Sequence, residues 1–344
     1  MSASRVKRGA SREAQPTALA PAMDGAPKSS HRLIGFEPDN FLAFLAVLGL
    51  LHALEDQQPA WGARVSWSDL PVRPALQLRE AVTQEDLAQA VTDGCLHLAL
   101  NYDFSELGED WEFPRLTAEA AQRELRRCIA QGPPARGRSD LLSALFADGV
   151  ASEAQTVFPT PLCVLFGQGH QFFLDRLSRA ARMAGLRTTR ETPEPLAAIR
   201  NALFRRWERA DIGPSLRWDT GWFDRQWVDR ASNPAKDRIR IETGAYALAA
   251  LGLPVLTVSP RTVGQRIRLQ TLGVETQGNE LWLVWPIWAK ALSLAQLRTL
   301  LAHPALYRDS PHSIALSRVG VIEVRRSHRE ELGRYDVFDR GVPR

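Results

Sequence analysis

Residues 200–240 set ten basic side chains against six acidic ones and thread tryptophans among them. Arg205, Arg206, Arg209, Arg217, Arg225, Arg230, Lys236, Arg238 and Arg240 interleave with Trp207, Trp218, Trp222 and Trp227. Guanidinium groups make forked contacts to phosphate and indole faces stack on unpaired bases, so this pattern suits a groove for single-stranded nucleic acid. The competing reading puts the tryptophans in the core and leaves the arginines on a solvated face. A second anion-binding candidate is the run FGQGHQFF at 166–173, where Gly167 and Gly169 free backbone amides ahead of a helix that includes Gln171. It is neither a P-loop, lacking Gly-Lys-Ser/Thr, nor a full dinucleotide fingerprint, since Phe172 stands where the third glycine belongs. An ordinary strand-to-helix turn explains the same residues.

Cleavage chemistry has weaker support. Asp219, Asp224, Asp229 and Glu242 can in principle hold Mg²⁺ for phosphodiester hydrolysis, but their spacing fits no metal motif and neighbouring arginines offer them ion pairs. The seven histidines form no HxxxH or HExxH pair and no His-Asp dipeptide, and His170 has no nearby Ser, Cys or Asp as a catalytic partner. Cys95, Cys128 and Cys163 are far apart, which argues for a reducing compartment and against both a disulfide framework and a zinc site. These residues imply no cofactor and no evident catalytic machinery. A metal-dependent nuclease built on Asp219, Asp224 and Glu242 stands as the alternative.

Charge sharpens the choice by its location. The net charge of +4 arises in the first 32 residues, which carry six basic side chains against two acidic ones. Residues 80–112 hold nine acidic residues and no Lys or Arg, a candidate face for a basic protein partner and the basis of a third reading, an adaptor without nucleic-acid contact. Lysine occurs only at 7, 28, 236 and 290, an arginine bias that a GC-rich genome also produces.

The elements that must position these groups suggest an α+β fold of helices and short strands around a buried apolar helix at 41–54. Asp39 or Asn40 caps that helix, its faces are nearly all apolar, and Gly49 implies a neighbour packed against its backbone. At well under the roughly 20 residues that span a bilayer, it reads as a core element, and the protein is expected in the cytoplasm without membrane contact. Residues 1–30 read as a disordered basic tail, 31–132 as an N-terminal α+β region and 139–344 as a C-terminal one, with GPPARGR at 132–138 as an exposed linker. Helices are expected at 83–91, with Thr83 and Asp86 as capping partners, and at 117–129, 141–147, 171–184, 195–210, 244–251 and 292–302. Strands are expected at 31–36, 64–67, 95–100, 254–258, 281–287 and 314–324, and a Pro-punctuated loop at 70–74.

Two stretches carry a family resemblance. PDNFLAFLAVLGLL at 38–51, followed by RVSW at 64–67, resembles the N-terminal signature of proteins encoded in type I-G (formerly I-U) CRISPR loci, where an N-P-L-x-F-L-A-A-L-G-L-L-R helix precedes an R-L-S-W strand. SLRWD at 215–219, DR at 224–225, NPAKD at 233–237, ETGA at 242–245 and ALGLPV at 250–255 are similar to that family's L-R-W-D-P…D-R-R…D-P-S-K-D…G-A-x-R-L-A run and the Gly-Leu-Pro strand after it. The turn at 167–173 also resembles the family's glycine turn. Thr220 departs from the family's Pro and Tyr246 from its Arg. The resemblance implies a non-catalytic subunit of a type I CRISPR interference complex, large-subunit-like or an extension of the helicase-nuclease. Its partners would be other effector subunits and guide RNA or target DNA, held by backbone contacts while base pairing supplies sequence discrimination. Taken with the Arg/Trp pattern and the glycine turn, this makes Gly167, Gly169, Gln171, Arg205, Arg206, Arg217, Trp218, Arg225, Lys236 and Arg238 the candidate nucleic-acid contacts.

Overall fold

A computed structural model of the chain describes residues 26–68, 70–108, 110–147, 155–164, 172–185, 194–220, 240–263, 266–277, 280–308, 314–332 and 335–344. The order begins β1 (Ser29–Arg32), α1 (Phe41–Gln57), β2 (Arg64–Ser68), β3 (Arg73–Leu78) and α2 (Gln84–Ala99). It continues α3 (Ala118–Gln131), α4 (Arg136–Leu145), α5 (Phe173–Ala181), α6 (Pro195–Phe204), β4 (Asp211–Ile212), β5 (Arg240–Ile241) and α7 (Thr243–Gly252). The last part holds β6 (Val258–Val263), β7 (Arg266–Thr271), β8 (Val274–Gln277), β9 (Glu280–Trp288), α8 (Leu294–Leu301), α9 (Ile314–Arg318), β10 (Val321–Leu332), β11 (Tyr335–Phe338) and β12 (Val342–Pro343). Among the described residues all strand pairs are antiparallel: a β1-β3-β2 sheet, a β11-β10-β9-β8 sheet with β12 on β10, and the pairs β4–β5 and β6–β7. The fold is α+β.

Helix α1 is central because its sequence leaves it no polar face. Every residue from Phe41 to Leu54 except His52 is buried. Asn40 caps it, its side-chain oxygen accepting from the Leu42 amide at 3.0 Å. The neighbour that Gly49 implies is α7, which is likewise buried along its whole length. A Cβ built on Gly49 would sit 1.7 Å from the Leu248 carbonyl oxygen, and one on Gly252 would sit 2.2 Å from that of Leu45. Two glycines therefore face each other where two apolar helices cross backbone to backbone. Gly94 brings α2 against Ala53 of α1, and Gly244 brings α7 against Ala198 of α6, by the same device. His52 donates from Nδ1 to the Leu251 carbonyl at 2.9 Å, and burial holds its pKa below the ordinary range.

Several expectations need correction. Residues 95–100 are not a strand: Cys95, Leu98 and Ala99 continue the buried stripe of Leu87, Ala88 and Val91, and α2 runs to Ala99. Its start is as expected, with Thr83 accepting from the Asp86 amide at 3.1 Å. Residues 132–138 are not an exposed linker but a tight turn into α4. Arg138 is buried there, donating to Glu124 at 2.8 Å and to the carbonyls of Asn101 and Asp103 at 3.0 and 2.7 Å. The prolines at 133–134 fix this turn, and the guanidinium ties it to the loop after α2. Residues 253–255 form a 3-10 turn ahead of β6, and 314–318 are helical before β10 begins. Proline at 74 does not stop β3, which pairs with both β1 and β2. One continuous hydrophobic core runs from Leu33 to Phe338, so the regions on either side of 132–138 share their interior. Among the described residues no helix is long and apolar enough to cross a membrane.

Candidate nucleic-acid interface

The entrance to α1 is where distant parts of the chain meet. The sequence offers four consecutive residues there, Glu37 to Asn40, and each finds a partner. Pro38 accepts from Trp285 Nε1 at 2.9 Å, and the Asp39 carbonyl accepts from the Gly341 amide at 2.8 Å and from the Thr220 hydroxyl at 3.1 Å. Arg340 donates to the Asp39 carboxylate at 2.9 Å, while Glu37 pairs with Arg73 and Arg340 at 3.4 Å each. Asn40 Nδ2 donates to Asp219 Oδ1 at 2.8 Å, and Thr220 Oγ1 accepts from the Phe41 amide at 2.9 Å. Asp219 in turn receives a forked contact from Arg209, at 2.8 Å from Nε and 3.1 Å from Nη2. Both side chains are largely shielded from solvent, with exposures of 11% for Arg209 and 7% for Asp219.

This joint bears on one of the metal candidates. The Asp219 carboxylate is engaged on both oxygens, neutralised by Arg209 and oriented by Asn40. Glu242 lies under the turn before β4, its carboxylate accepting from the amides of Glu208 and Arg209 at 3.2 and 3.4 Å. Asp224 and Asp229 lie outside the described residues. Among the described residues no three His, Cys, Asp or Glu side chains cluster where a metal ion could be held. Thr220 supplies a hydroxyl to the first amide of α1.

The candidate nucleic-acid contacts separate into three groups. Arg205 and Arg206 are exposed just beyond the C-terminus of α6, and among the described residues neither side chain makes an ion pair. Arg240 is exposed close by, donating to the Ala210 carbonyl at 3.0 Å. Arg217 is half-buried with a left-handed φ of 60°, its amide donating to the Ser215 hydroxyl at 3.2 Å. Trp218 is a correction: it is fully buried, donates from Nε1 to the Leu162 carbonyl at 2.9 Å and packs edge-on against Phe173. A ring with no exposed face stacks no base. Trp207 is also core, bonded to the Ala202 carbonyl and set edge-on to Phe36. Gly167, Gly169, Gln171, Arg225, Lys236 and Arg238 lie outside the described residues.

A cation–aromatic cluster that sequence reasoning passed over sits on the β9–β10 pair. Arg326 lies 4.6 Å from the Trp282 ring centroid and the His328 ring 4.2 Å from it. Its only signal in the sequence is the run of basic residues along 325–329.

Most of the acidic side chains at 80–112 are exposed, and several of them pair within the chain. Glu80 pairs with Lys28 at 3.1 Å, Glu85 with Arg200 at 3.6 Å, Asp103 with Arg182 at 3.7 Å and Asp110 with Arg115 at 3.8 Å. Glu112 is buried and accepts from the amides of Leu174 and Asp175 at 3.0 and 2.8 Å, capping α5 from a distant loop. Some of the negative charge thus serves capping and ion pairing within the chain, while Glu80, Glu85, Asp86, Asp93, Asp103, Glu106 and Asp110 remain exposed.

Burial raises the Glu242 carboxyl to about 7 from its ordinary 4.5, with nearby Asp211 adding to the rise against the two amide donors. Between those two values the folded chain holds a proton that the unfolded chain has released. Stability therefore falls as pH rises through that window, by up to about 3 kcal/mol from this group. Glu242→Gln keeps the shape and removes the titration. Urea unfolding at pH 5 and pH 8 should show a smaller drop in midpoint for the variant than for the wild-type chain. His52, with its opposite dependence, is common to both and cancels in the comparison.

No protein-family model, curated protein or solved structure matches this chain.

Proposed function

We propose that this protein is a non-catalytic, nucleic-acid-binding subunit of a type I CRISPR interference ribonucleoprotein, working in the cytoplasm beside other effector subunits. The observation that carries this reading is spatial. The two stretches that resemble the type I-G family are far apart in sequence, yet Asn40 of the first donates to Asp219 of the second at 2.8 Å. Gly49 of the first likewise faces Gly252 of the second across the α1–α7 crossing. Residues that resemble a family's signature in two places and meet in one joint behave as a single structural signature. Asp219, one of the three carboxylates a nuclease would need, is engaged by this joint, which favours binding over cleavage.

Contact with guide RNA or target DNA is assigned to the exposed edge formed by Arg205, Arg206 and Arg240. Each phosphate contact releases about one counterion, so binding should weaken with salt in proportion to the number of arginines engaged. Arg205→Ala/Arg206→Ala is expected to lower the salt slope of binding to a single-stranded RNA by about 0.7 for each phosphate that is no longer neutralised. An unchanged slope and affinity would remove this edge from the interface. The assembly itself is tested by tagged purification from the native host. Recovery of repeat-flanked small RNAs with several CRISPR proteins is expected, whereas recovery of the protein alone would sink residence in such a complex.

A further inference from the structure

We infer that the β6–β7 hairpin is a second nucleic-acid contact, an arm that enters the major groove of duplex DNA. This adds a site to the nucleic-acid binding proposed above and stands on separate residues. Three observations converge on the arm: its exposure, its charge and its lack of stacking side chains.

Exposure comes first. Among the described residues the strands pair only with each other, from Val258↔Thr271 to Val263↔Arg266. Thr257, residues 259–262, Ile267 and Gln270 are all exposed, so described side chains on both faces of the ribbon meet solvent. At six residues per strand the arm reaches about 20 Å. Its root is fixed: Leu256 is fully buried, Thr271 donates to the Leu256 carbonyl at 2.9 Å, and the Gly273 amide donates to the Tyr307 hydroxyl at 2.9 Å. A rigid base under a solvated ribbon presents the strands without giving them a core to serve.

Charge then selects the partner. From 243 to 274 the sequence holds Arg261, Arg266 and Arg268 and no acidic residue. Arg261 and Arg268 occupy directly opposed positions in the ladder. Like charges so placed oppose pairing, and an anion between them removes that cost. Arg261 makes no ion pair among the described residues. Pro260 in β6 has no N–H to offer a further strand, which disfavours pairing with the sheet edge of another protein.

The type of nucleic acid follows from shape and composition. The arm contains no Phe, Tyr, Trp or His, so it has no platform on which unpaired bases could stack. A two-stranded ribbon matches the major groove of B-form DNA, about 12 Å wide. The deep, narrow major groove of A-form RNA does not admit side chains in that way. The exposed Arg261 is the kind of side chain that contacts phosphates and guanine edges in such a groove.

The test is fluorescence anisotropy with the full chain and a short labelled DNA duplex, titrated across potassium chloride concentrations. A single strand, an RNA duplex and anionic phospholipid vesicles are compared in the same buffer. The triple variant Arg261→Ala/Arg266→Ala/Arg268→Ala is expected to bind the DNA duplex about 10-fold more weakly or worse, with a salt slope lower by about 0.9 for each phosphate that is no longer neutralised. Arg261→Lys/Arg266→Lys/Arg268→Lys should keep most of the slope, which separates loss of charge from loss of structure. Duplex binding by the alanine variant that equals wild type in affinity and slope overturns the inference. So does a wild-type preference for the single strand, the RNA duplex or the vesicles that the alanine variant abolishes. Because Arg205 and Arg206 remain intact in these variants, failure here leaves the edge assignment to be judged on its own variant.

Discussion

Gly49→Ala is expected to destabilise the protein by about 3 kcal/mol or more, through overpacking at a crossing that has no room to give. Helix propensity alone predicts the opposite, since alanine in a helix interior is about 1 kcal/mol better than glycine. The two effects differ in sign, so the experiment decides between them. The new methyl would lie 1.7 Å from the Leu248 carbonyl oxygen, and the obstacle is backbone, with no rotamer to swing aside. Helices α1 and α7 would have to separate along a crossing where both are buried, and Gly252 faces Gly49 at the same spot. Moving them apart strips packing from neighbours on both helices, which cores at crystal-like density tolerate poorly. Chemical unfolding of the Gly49→Ala chain should show a clearly lower midpoint, and Gly49→Val should yield no cooperatively folded protein. A raised midpoint for the alanine variant would mean that the helices do not cross this closely.

What the sequence makes legible follows the strength of its local signals. An apolar run behind Asn40 has one physical solution, a capped and buried helix, and the glycine inside it announces a close neighbour without naming it. The neighbour, α7, comes late in the chain, and nothing local encodes that pairing. At 95–100 a short apolar run is ambiguous between strand and helix; the stripe begun by Leu87 and Val91 settles it by tertiary packing. The Pro-rich run at 132–138 looks exposed because its buried charged side chain is an arginine, and Glu124 of α3 together with the carbonyls of Asn101 and Asp103 makes that burial favourable. In the β6–β7 arm, RIRLQT at 266–271 alternates polar and apolar, yet Ile267 is exposed, so the alternation there does not mark a face packed on the core. The candidate site is legible in its charges and not in its aromatics. Arg205 and Arg206 are exposed as their types suggest, while Trp207 and Trp218 bury their rings and satisfy their N–H groups on carbonyls. Tryptophan beside arginine has the same appearance in a sequence whether the indole meets a base or a core.

Asp219→Ala is expected to cost about 3–5 kcal/mol, the range for breaking a buried ion pair by removing one partner. The change leaves Arg209 buried to 11% side-chain exposure without its forked acceptor, and it deprives Asn40 Nδ2 of the oxygen that orients it. Asn40 must point its own oxygen at the Leu42 amide to cap α1, so the damage passes to the start of the central helix. Arg209→Ala alone should also be costly, since the largely buried Asp219 carboxylate would then lose its charged partner and keep Asn40 as its donor among the described residues. The double variant Asp219→Ala/Arg209→Ala removes both charges, and its cost should fall well short of the sum of the singles, a coupling on the order of 1–3 kcal/mol. Asp219→Asn is the informative intermediate. It keeps an oxygen for Asn40 while giving up the charge that Arg209 needs, so its cost should lie between wild type and alanine. Equilibrium urea unfolding of these chains measures the cycle. Strictly additive costs would mean that Arg209 and Asp219 do not act as a pair. A Mg²⁺-dependent cleavage activity that vanished in Asp219→Asn, with stability unchanged, would instead return this carboxylate to the nuclease reading. The geometry favours the first outcome, because both oxygens of Asp219 already have donors from the protein, and a carboxylate so engaged is not free to hold a metal ion.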